Sequence, residues 1–253
     1  WGGQSDLAPQ PQPTPVGSVG DHFAQIDVST FGGDACGVKA DGSAWCWSAT
    51  TPGTLRREVP GLAVKQIAVG QLHSCALDSS DRAWCWLTVS YPVLGSMFSG
   101  SSQAPAAVAG GRRYQWIGVG SQYACALDFD GQGWCWGSGA ALGNGGTEVE
   151  SALPVQVAGP RFTRLDTGTQ HACGLAADGA AWCWGVNLVG AIGDGTRVDR
   201  NAPVPSGSGL KFRELGLGGA TTCGIAIDGS AWCWGWNQFG AVGKPAVGHW
   251  TKP

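Results

Sequence analysis

Hydrophobic positions in this chain fall in short alternating runs, and each run ends at a glycine. Four runs recur at intervals of about 50 residues: VKQIAVG ends at Gly70, YQWIGVG at Gly120, FTRLDTG at Gly168 and FRELGLG at Gly218. Alternation with a period of two is typical of strands with one buried face, and no apolar stripe with the helical period of about 3.6 is sustained. The pattern therefore predicts short β-strands separated by tight turns.

A second element follows each run and contains two cysteines ten positions apart. A three-residue loop at Ala177, Asp178 and Gly179 would place Cys173 opposite Cys183 in an antiparallel hairpin, with the glycine in a left-handed conformation. Four copies have glycine at that position, and the second has Asp81, a residue type that tolerates it. The copies are CGVKADGSAWCW from Cys36, CALDSSDRAWCW from Cys75, CALDFDGQGWCW from Cys125, CGLAADGAAWCW from Cys173 and CGIAIDGSAWCW from Cys223.

Directly opposed cysteines on paired strands come close enough to form a disulfide. Zinc sites use cysteines about two to four residues apart, so a spacing of ten favours bridging over metal binding, with ten reduced thiols as the remaining alternative. Because disulfides persist in oxidising compartments, we expect an extracellular, cell-surface or periplasmic protein. The expected pairs are Cys36 with Cys46, Cys75 with Cys85, Cys125 with Cys135, Cys173 with Cys183, and Cys223 with Cys233.

The tryptophans of each hairpin point away from its cysteines. Trp182 and Trp184 flank Cys183, so strand parity puts their rings on the opposite face of the sheet. The residue facing the first tryptophan is small in every copy: Gly37, Ala76, Ala126, Gly174 and Gly224. We therefore expect the tryptophan face of one sheet to pack on the disulfide face of its neighbour, which makes these rings core spacers rather than carbohydrate-stacking platforms.

A repeat of about 50 residues with four antiparallel strands is typical of one blade of a β-propeller. The prediction is an all-β protein, a single β-propeller domain over residues 1–253 with five visible blades; part of a six- or seven-bladed propeller is the alternative. The expected segments are a Pro-rich N-terminal segment or outer strand at 1–20, blades at 21–61, 62–110, 111–159 and 160–208, inner strands of a fifth blade at 209–236, and a C-terminal tail at 237–253.

Composition and charge narrow the classes of function. Hydrophobic residues make up 43% of the chain and charged residues only 13%, with 43 glycines and a formal net charge of −3. Basic residues are scattered, so no nucleic-acid footprint is predicted. No apolar run approaches the ~20 residues of a membrane helix, so membrane insertion is not predicted. The chain starts at Trp1 with no signal peptide, and we interpret it as processed or partial.

Two copies continue past the hairpin in a way that resembles a known repeat. GTQHACGLAADGAAWC is followed by WGVNLVGAIGDGT from Trp184, and WGWNQFGAVGK starts at Trp234. These segments resemble the repeat of the regulator of chromosome condensation family, here as a secreted, disulfide-bearing variant that covers nearly the whole chain. The resemblance implies a β-propeller, commonly of seven blades. Two copies depart from it, because CWSATTPGTL and CWLTVSYPVLG lack the Gly-x-Asn continuation.

Closure of the ring can be expected in two ways. Residues 13–19 could supply the outer strand of the fifth blade, which leaves the C-terminal segment surplus and closes a five-bladed ring; this is the favoured arrangement. Alternatively, the C-terminal segment opens that outer strand and the N-terminal segment serves as an arm to another chain.

No catalytic or metal-binding set is predicted, and no cofactor. His73 and His171 lie two residues before a cysteine, where the other copies have Asp34, Tyr123 and Thr221. A set that varies this freely favours hydrogen bonds to a neighbouring blade over catalysis. DFDGQG and GDGTRVD are shorter than a calcium loop and are explained by turn chemistry.

The parts that do not repeat are the candidates for partner contact. Apolar and aromatic side chains in loops are typical of contact patches. The sequence therefore predicts a non-enzymatic extracellular binding, adhesion or assembly module, whose partner is a protein or surface ligand, with copies of itself as one option. The alternatives are a specific protein inhibitor or a ligand- or carbohydrate-binding propeller and, less favoured, an intracellular nucleotide-exchange regulator. The candidate contact residues are Tyr91, Leu94, Met97, Phe98, Trp236, Phe239 and Trp250.

Overall fold

A computed structural model describes residues 22–29, 34–48, 57–59, 61–87, 104–148, 150–237, 240–243 and 249–253. Its strands form five antiparallel sheets of four strands each. The sheets follow one another around a ring and form a five-bladed β-propeller, as the repeat pattern predicts. Two short 3₁₀ helices, Ala140–Leu142 and Gly207–Gly209, lie between strands.

Each sheet runs in chain order from the innermost to the outermost strand. The first sheet contains Phe23–Val28, Asp34–Lys39, Ala44–Ser48 and Arg57–Glu58. The second contains Val64–Val69, His73–Asp78, Ala83–Leu87 and Ala106–Ala107. The third contains Tyr114–Val119, Tyr123–Asp128, Gly133–Ser138 and Glu150–Gln156. The fourth contains Arg164–Thr167, His171–Leu175, Ala181–Gly185 and Arg200–Pro205. The fifth contains Phe212–Leu217, Thr221–Ala226, Ala231–Trp236 and His249–Trp250.

The C-terminal segment supplies the outermost strand of the fifth sheet. His249 pairs with Trp236, and Trp250 pairs with Gly235. This is the second of the two arrangements considered from the sequence, and the favoured donor of that strand, residues 13–19, lies outside the described residues.

The hairpins have the predicted geometry. Cys173 pairs directly with Cys183, and all five cysteine pairs are joined as disulfides with Cα atoms 4.0–4.1 Å apart. Gly179 adopts a φ of 78° at the turn, and Asp81 adopts 69° at the equivalent position. A loop this short contributes roughly 2.5–3 kcal/mol per disulfide in the chain-entropy description.

The core lies between consecutive sheets. The disulfide face of the third sheet, with Cys125 and Leu127, packs on the tryptophan face of the fourth, with Leu165 and Trp184. The same arrangement joins the first sheet to the second, the second to the third, and the fourth to the fifth. The predicted alternation of tryptophan and disulfide faces is therefore present at these four interfaces.

The small residue opposite the first tryptophan has a use that the sequence does not reveal. Gly174 pairs with Trp182, as predicted. The space that a side chain at Gly174 would fill is occupied by the ring of Phe162, from the preceding segment. A Cβ at Gly174 would lie 2.5 Å from Phe162 Cδ1. Phe162 in turn stacks on Trp184, with ring centroids 5.9 Å apart. The glycine thus makes room for Phe162 to stack on the second tryptophan, Trp184.

Candidate functional site

The two tryptophans of a hairpin lie in different surroundings. The first is partly exposed and bonds to its own turn: Trp134 Nε1 donates to Asp128 Oδ2 at 2.9 Å. The second is buried and reaches the neighbouring blade: Trp184 Nε1 donates to the Ala141 carbonyl at 2.8 Å, and Trp234 Nε1 to the Ala191 carbonyl at 3.0 Å. Each of these two indoles therefore fixes the loop of the preceding blade.

The loop between the third and fourth strands of the fourth sheet is held by one buried asparagine. Asn187 Oδ1 accepts the Ile192 N–H at 3.0 Å, while its side-chain nitrogen donates to the carbonyls of Thr196 and Val198. The backbone N–H of Asn187 donates to Asp199 Oδ1 at 2.7 Å. With both ends of its amide satisfied inside the loop, this residue fixes the backbone on either side of it.

Leu188 lies next to this asparagine and is 69% exposed. Together with Val186, Val189 and the 36% exposed Trp236, it lines a surface groove between the fourth and fifth sheets with a volume of about 240 Å³. Its inner end is formed by Ala191 and by the turns at 169–171 and 219–220. We call this feature the loop groove. It can receive an apolar side chain, because most of its lining is apolar and its backbone is fixed.

The equivalent place between the third and fourth sheets holds only a small cavity of about 40 Å³. In the third sheet, Ala141, whose carbonyl accepts the Trp184 indole N–H, comes five residues after Trp136. In the fourth sheet, Ala191, whose carbonyl accepts the Trp234 indole N–H, comes seven residues after Trp184. The two additional residues allow the apolar segment at Leu188. The fourth sheet thus has the longer spacing of the segment that resembles the family repeat, and the third sheet is the one that departs from it.

A second cavity, of about 350 Å³, opens between the innermost strands of the third, fourth and fifth sheets. Trp116, Arg164, Asp166 and Glu214 line it. Burial raises the pKa of Asp166 to about 6, although its carboxylate accepts hydrogen bonds from the Leu217 and Thr167 N–H groups, and the nearby charge of Asp27 raises it further. This cavity combines apolar side chains with charges of both signs.

His171 joins neighbouring blades, as expected from the variable residues at its equivalent positions. His171 Nε2 lies 2.9 Å from Thr222 Oγ1 of the fifth sheet, and the His171 carbonyl accepts the Tyr123 hydroxyl of the third at 2.5 Å. Burial lowers the pKa of both His73 and His171 to about 4. Both rings are therefore neutral at pH 7 and inaccessible to a substrate.

Of the predicted contact residues, the structure places Trp236 at the loop groove. Tyr91, Leu94, Met97, Phe98 and Phe239 lie outside the described residues, and Trp250 is described only as a strand position paired with Gly235. Leu188 was missed by the sequence analysis. The available signal was the apolar pair Leu188-Val189 between Asn187 and Gly190, at a position where the family repeat has no fixed residue type.

Within the described residues, no group of three or more His, Cys, Asp or Glu side chains could hold a metal ion. Over the same part of the chain, no helix is long and apolar enough to span a bilayer.

Comparisons with known proteins agree with the repeat seen in the sequence. The regulator of chromosome condensation (RCC1) repeat matches residues 64–86, which span the inner strands of the second sheet. The chain thus carries an RCC1 repeat within a β-propeller. No curated protein matches the sequence.

Three solved structures are similar in fold. Human WBSCR16 superposes with a TM-score of 0.71 at 20% identity, covering 83% of this chain and 59% of that protein. Prp20p from Saccharomyces cerevisiae gives 0.57 at 16% identity, covering 90% and 75%. The ectodomain of the receptor kinase CR4 from Physcomitrella patens gives 0.60 at 22% identity, covering 89% and 57%. The chain thus spans 57–75% of the length of these proteins, and at such identities the likeness concerns the fold alone.

Proposed function

We propose that this RCC1-repeat propeller is a non-enzymatic binding module of an oxidising compartment, and that its loop groove receives an apolar side chain of a protein partner. The observation that carries the proposal is the pair of exposed residues Leu188 and Trp236 lining one groove, next to a loop fixed by the buried Asn187. Binding energy concentrates at pockets that accept an aromatic or aliphatic anchor.

The rigidity of the groove supports this role. The Asn187 bonds hold one wall, and the Trp234 bond to the Ala191 carbonyl holds its base. A pre-organised site loses less conformational entropy when a partner binds. Exposure of Leu188 in a loop with this many internal bonds is therefore better explained by contact with a partner than by a lack of structure.

The five disulfides support the oxidising compartment, because such bonds are rare where glutathione and thioredoxin keep thiols reduced. Two of the similar structures add to the proposal by what their names state. CR4 is a receptor kinase whose propeller belongs to an ectodomain, and Prp20p is described by its binding to Gsp1p and histones. Propellers of this kind thus bind proteins and occur outside cells.

The groove is tested by panning a random peptide display library on the immobilised chain. Enriched peptides should share an apolar or aromatic residue, and synthetic versions should lose at least tenfold in affinity for the Leu188→Asp and Trp236→Asp variants. Leu153→Asp is the matched control, because Leu153 is similarly exposed on an outer strand away from the groove. Peptides that bind both groove variants as tightly as wild type would contradict the proposal.

The compartment is tested separately by alkylating the protein from its native host with and without reductant. We expect no modified thiol before reduction and ten after it. Free thiols in the unreduced protein would exclude the oxidising compartment without affecting the groove.

A further inference from the structure

Two glutamine side chains join the innermost strands of the first three sheets. Gln25 accepts the Ile67 N–H at 2.8 Å and donates to the Ile67 carbonyl at 2.7 Å. Gln66 makes the same two bonds to Ile117, at 3.2 and 3.0 Å. Each glutamine amide thus binds both polar backbone groups of one residue on the innermost strand of the next sheet.

The third sheet has a tryptophan in place of this glutamine. Trp116 occupies the position that Gln25 and Gln66 hold in the first two sheets. Leu165 of the fourth sheet holds the register of Ile117 in the third, so its N–H and carbonyl also face away from the second strand. An indole donates one hydrogen bond and accepts none, so Trp116 cannot bond to the Leu165 N–H. Among the residues that the structure describes, Leu165 therefore has no counterpart of the amide that Gln66 offers to Ile117.

The cavity of about 350 Å³ between the innermost strands lies at this position, since both Trp116 and Leu165 line it. We call it the inner cavity. The indole of Trp116 leaves room in it: a Cβ at Gly118 would lie 2.2 Å from Trp116 Cη2 and 2.7 Å from Thr167 Oγ1. The ring therefore folds along its own strand toward Thr167, and the space beside the Leu165 backbone stays open.

We propose that the inner cavity binds a small molecule that carries a primary carboxamide on a flat apolar body. The carboxamide accepts the Leu165 N–H and donates to the Leu165 carbonyl, as the Gln66 amide does with Ile117. The apolar body packs on Trp116 and Leu127, which line the same cavity. The volume of the cavity lies in the range of small-molecule sites. This inference does not depend on the loop groove.

The lining favours a carboxamide over charged groups of the same shape. A carboxylate would place an oxygen against the Leu165 carbonyl, and Asp166 adds a further negative charge to the cavity. An amidinium has donors only and would leave the Leu165 N–H without an acceptor. Only a group with one donor and one acceptor satisfies both backbone groups of Leu165.

The probe is benzamide, titrated into the full chain by calorimetry, with benzoate and N,N-dimethylbenzamide as analogues that lack the donor. Benzamide should bind, and each analogue should bind about tenfold more weakly because one hydrogen bond is lost. In ¹⁵N-labelled protein, benzamide should shift the amide signal of Leu165 and leave that of Ile117 unchanged. Arg164 also lines the cavity, so benzoate that binds as tightly as benzamide would assign recognition to its guanidinium and overturn the proposal. Absence of benzamide binding, or shifts confined to the loop groove, would overturn it too.

Trp116→Gln gives the sharpest result, because it supplies the missing amide from the chain itself. Its side chain should bond to Leu165 and lower the affinity for benzamide about tenfold or more. Trp116→Phe keeps a flat ring without an amide and should bind benzamide nearly as tightly as wild type. Trp232→Gln is the matched control, since Trp232 is an exposed ring of the fifth sheet outside the cavity. Full affinity in Trp116→Gln, or an equal loss in Trp116→Phe, would contradict the proposal. Circular dichroism of each variant confirms that the fold is retained.

Discussion

Each sheet has two opposite edges, and tryptophan is used differently at each. We call the edge with the loops between the third and fourth strands the loop side, and the edge with the turns of the cysteine hairpins the turn side. On the loop side, Trp184 and Trp234 are buried and bond to the preceding blade, Trp184 to the Ala141 carbonyl and Trp234 to the Ala191 carbonyl. On the turn side, the first tryptophans of four hairpins bond to their own turns, as Trp84 does to Asp78 Oδ2 at 2.8 Å. The exposed pair Lys211 and Asp178 also lies there. The first tryptophan of a hairpin thus stabilises the hairpin itself, whereas the second stabilises the contact with the preceding blade.

The largest difference between the sides should appear when each tryptophan of one hairpin is truncated. Trp184→Ala removes a fully buried ring that stacks on Phe162, and it should lower the free energy of unfolding by about 3–5 kcal/mol. Trp182→Ala removes a partly exposed ring and should cost about 1–2 kcal/mol. Urea titrations of both variants measure the two values. Equal costs would show that the sides do not differ as described.

Acid should lower the free energy of unfolding through the buried His171. The pKa of His171 is lowered to about 4 in the folded state from about 6.5 when unfolded, so the unfolded chain binds more protons between these values. Stability from this group is therefore complete above pH 6.5 and is lost as pH falls toward 4, by roughly 3 kcal/mol. Urea midpoints measured from pH 7.5 to 4 test this.

The matched control for the acid effect is His171→Tyr, because Tyr123 occupies the equivalent position in the third sheet. This variant should lose the part of the pH dependence that His171 supplies, while His73 keeps its own. Asp166 acts in the opposite direction, since its pKa is raised to about 6: its ionisation destabilises the fold above pH 6 and is relieved as pH falls. Asp166→Asn should therefore steepen the acid loss. An unchanged profile in His171→Tyr would show that the buried histidine is not responsible.

A smaller loss of stability is expected when the loop held by Asn187 loses its internal bonds. Asn187→Ala leaves the Ile192 N–H without its acceptor and should cost about 1–3 kcal/mol. It should also weaken peptide binding at the loop groove, because the backbone beside Leu188 loses its anchor. Leu188→Ala is the comparison, since it should weaken binding while leaving the urea midpoint nearly unchanged. If Asn187→Ala keeps full affinity, the rigidity of the loop is not part of the site.

The smallest effect should come from the turn side. Lys211 Nζ lies 2.5 Å from Asp178 Oδ2, and this contact holds the pKa of the Asp178 carboxyl below its usual value. Because the pair is solvent-exposed and screened by salt, Lys211→Ala should leave the urea midpoint within the scatter of repeated measurements, more clearly so in high salt. A clear loss of stability would place inter-blade support on the turn side as well.

Local features of this protein could be predicted because they depend on neighbours in sequence. The left-handed Gly179 and Asp81 follow from the loop length, and the Cys173–Cys183 bond follows from the register that this loop sets. The contact of Phe162 with Gly174 could not be predicted, because the phenylalanine lies outside the hairpin and its approach depends on how the innermost strand enters the sheet. Of the residues that line the loop groove, the sequence analysis named Trp236 as a candidate partner contact and did not name Leu188.

By itself, the sequence determined the repeat, the hairpins, their disulfides and the separation of tryptophan and cysteine faces, because period-two alternation and turn chemistry act within a dozen residues. Only the tertiary structure decided that Phe162 fills the space at Gly174 and that His249–Trp250 completes the fifth sheet. These are properties of contacts between distant segments. They depend on the relative placement of whole sheets, which no local pattern specifies.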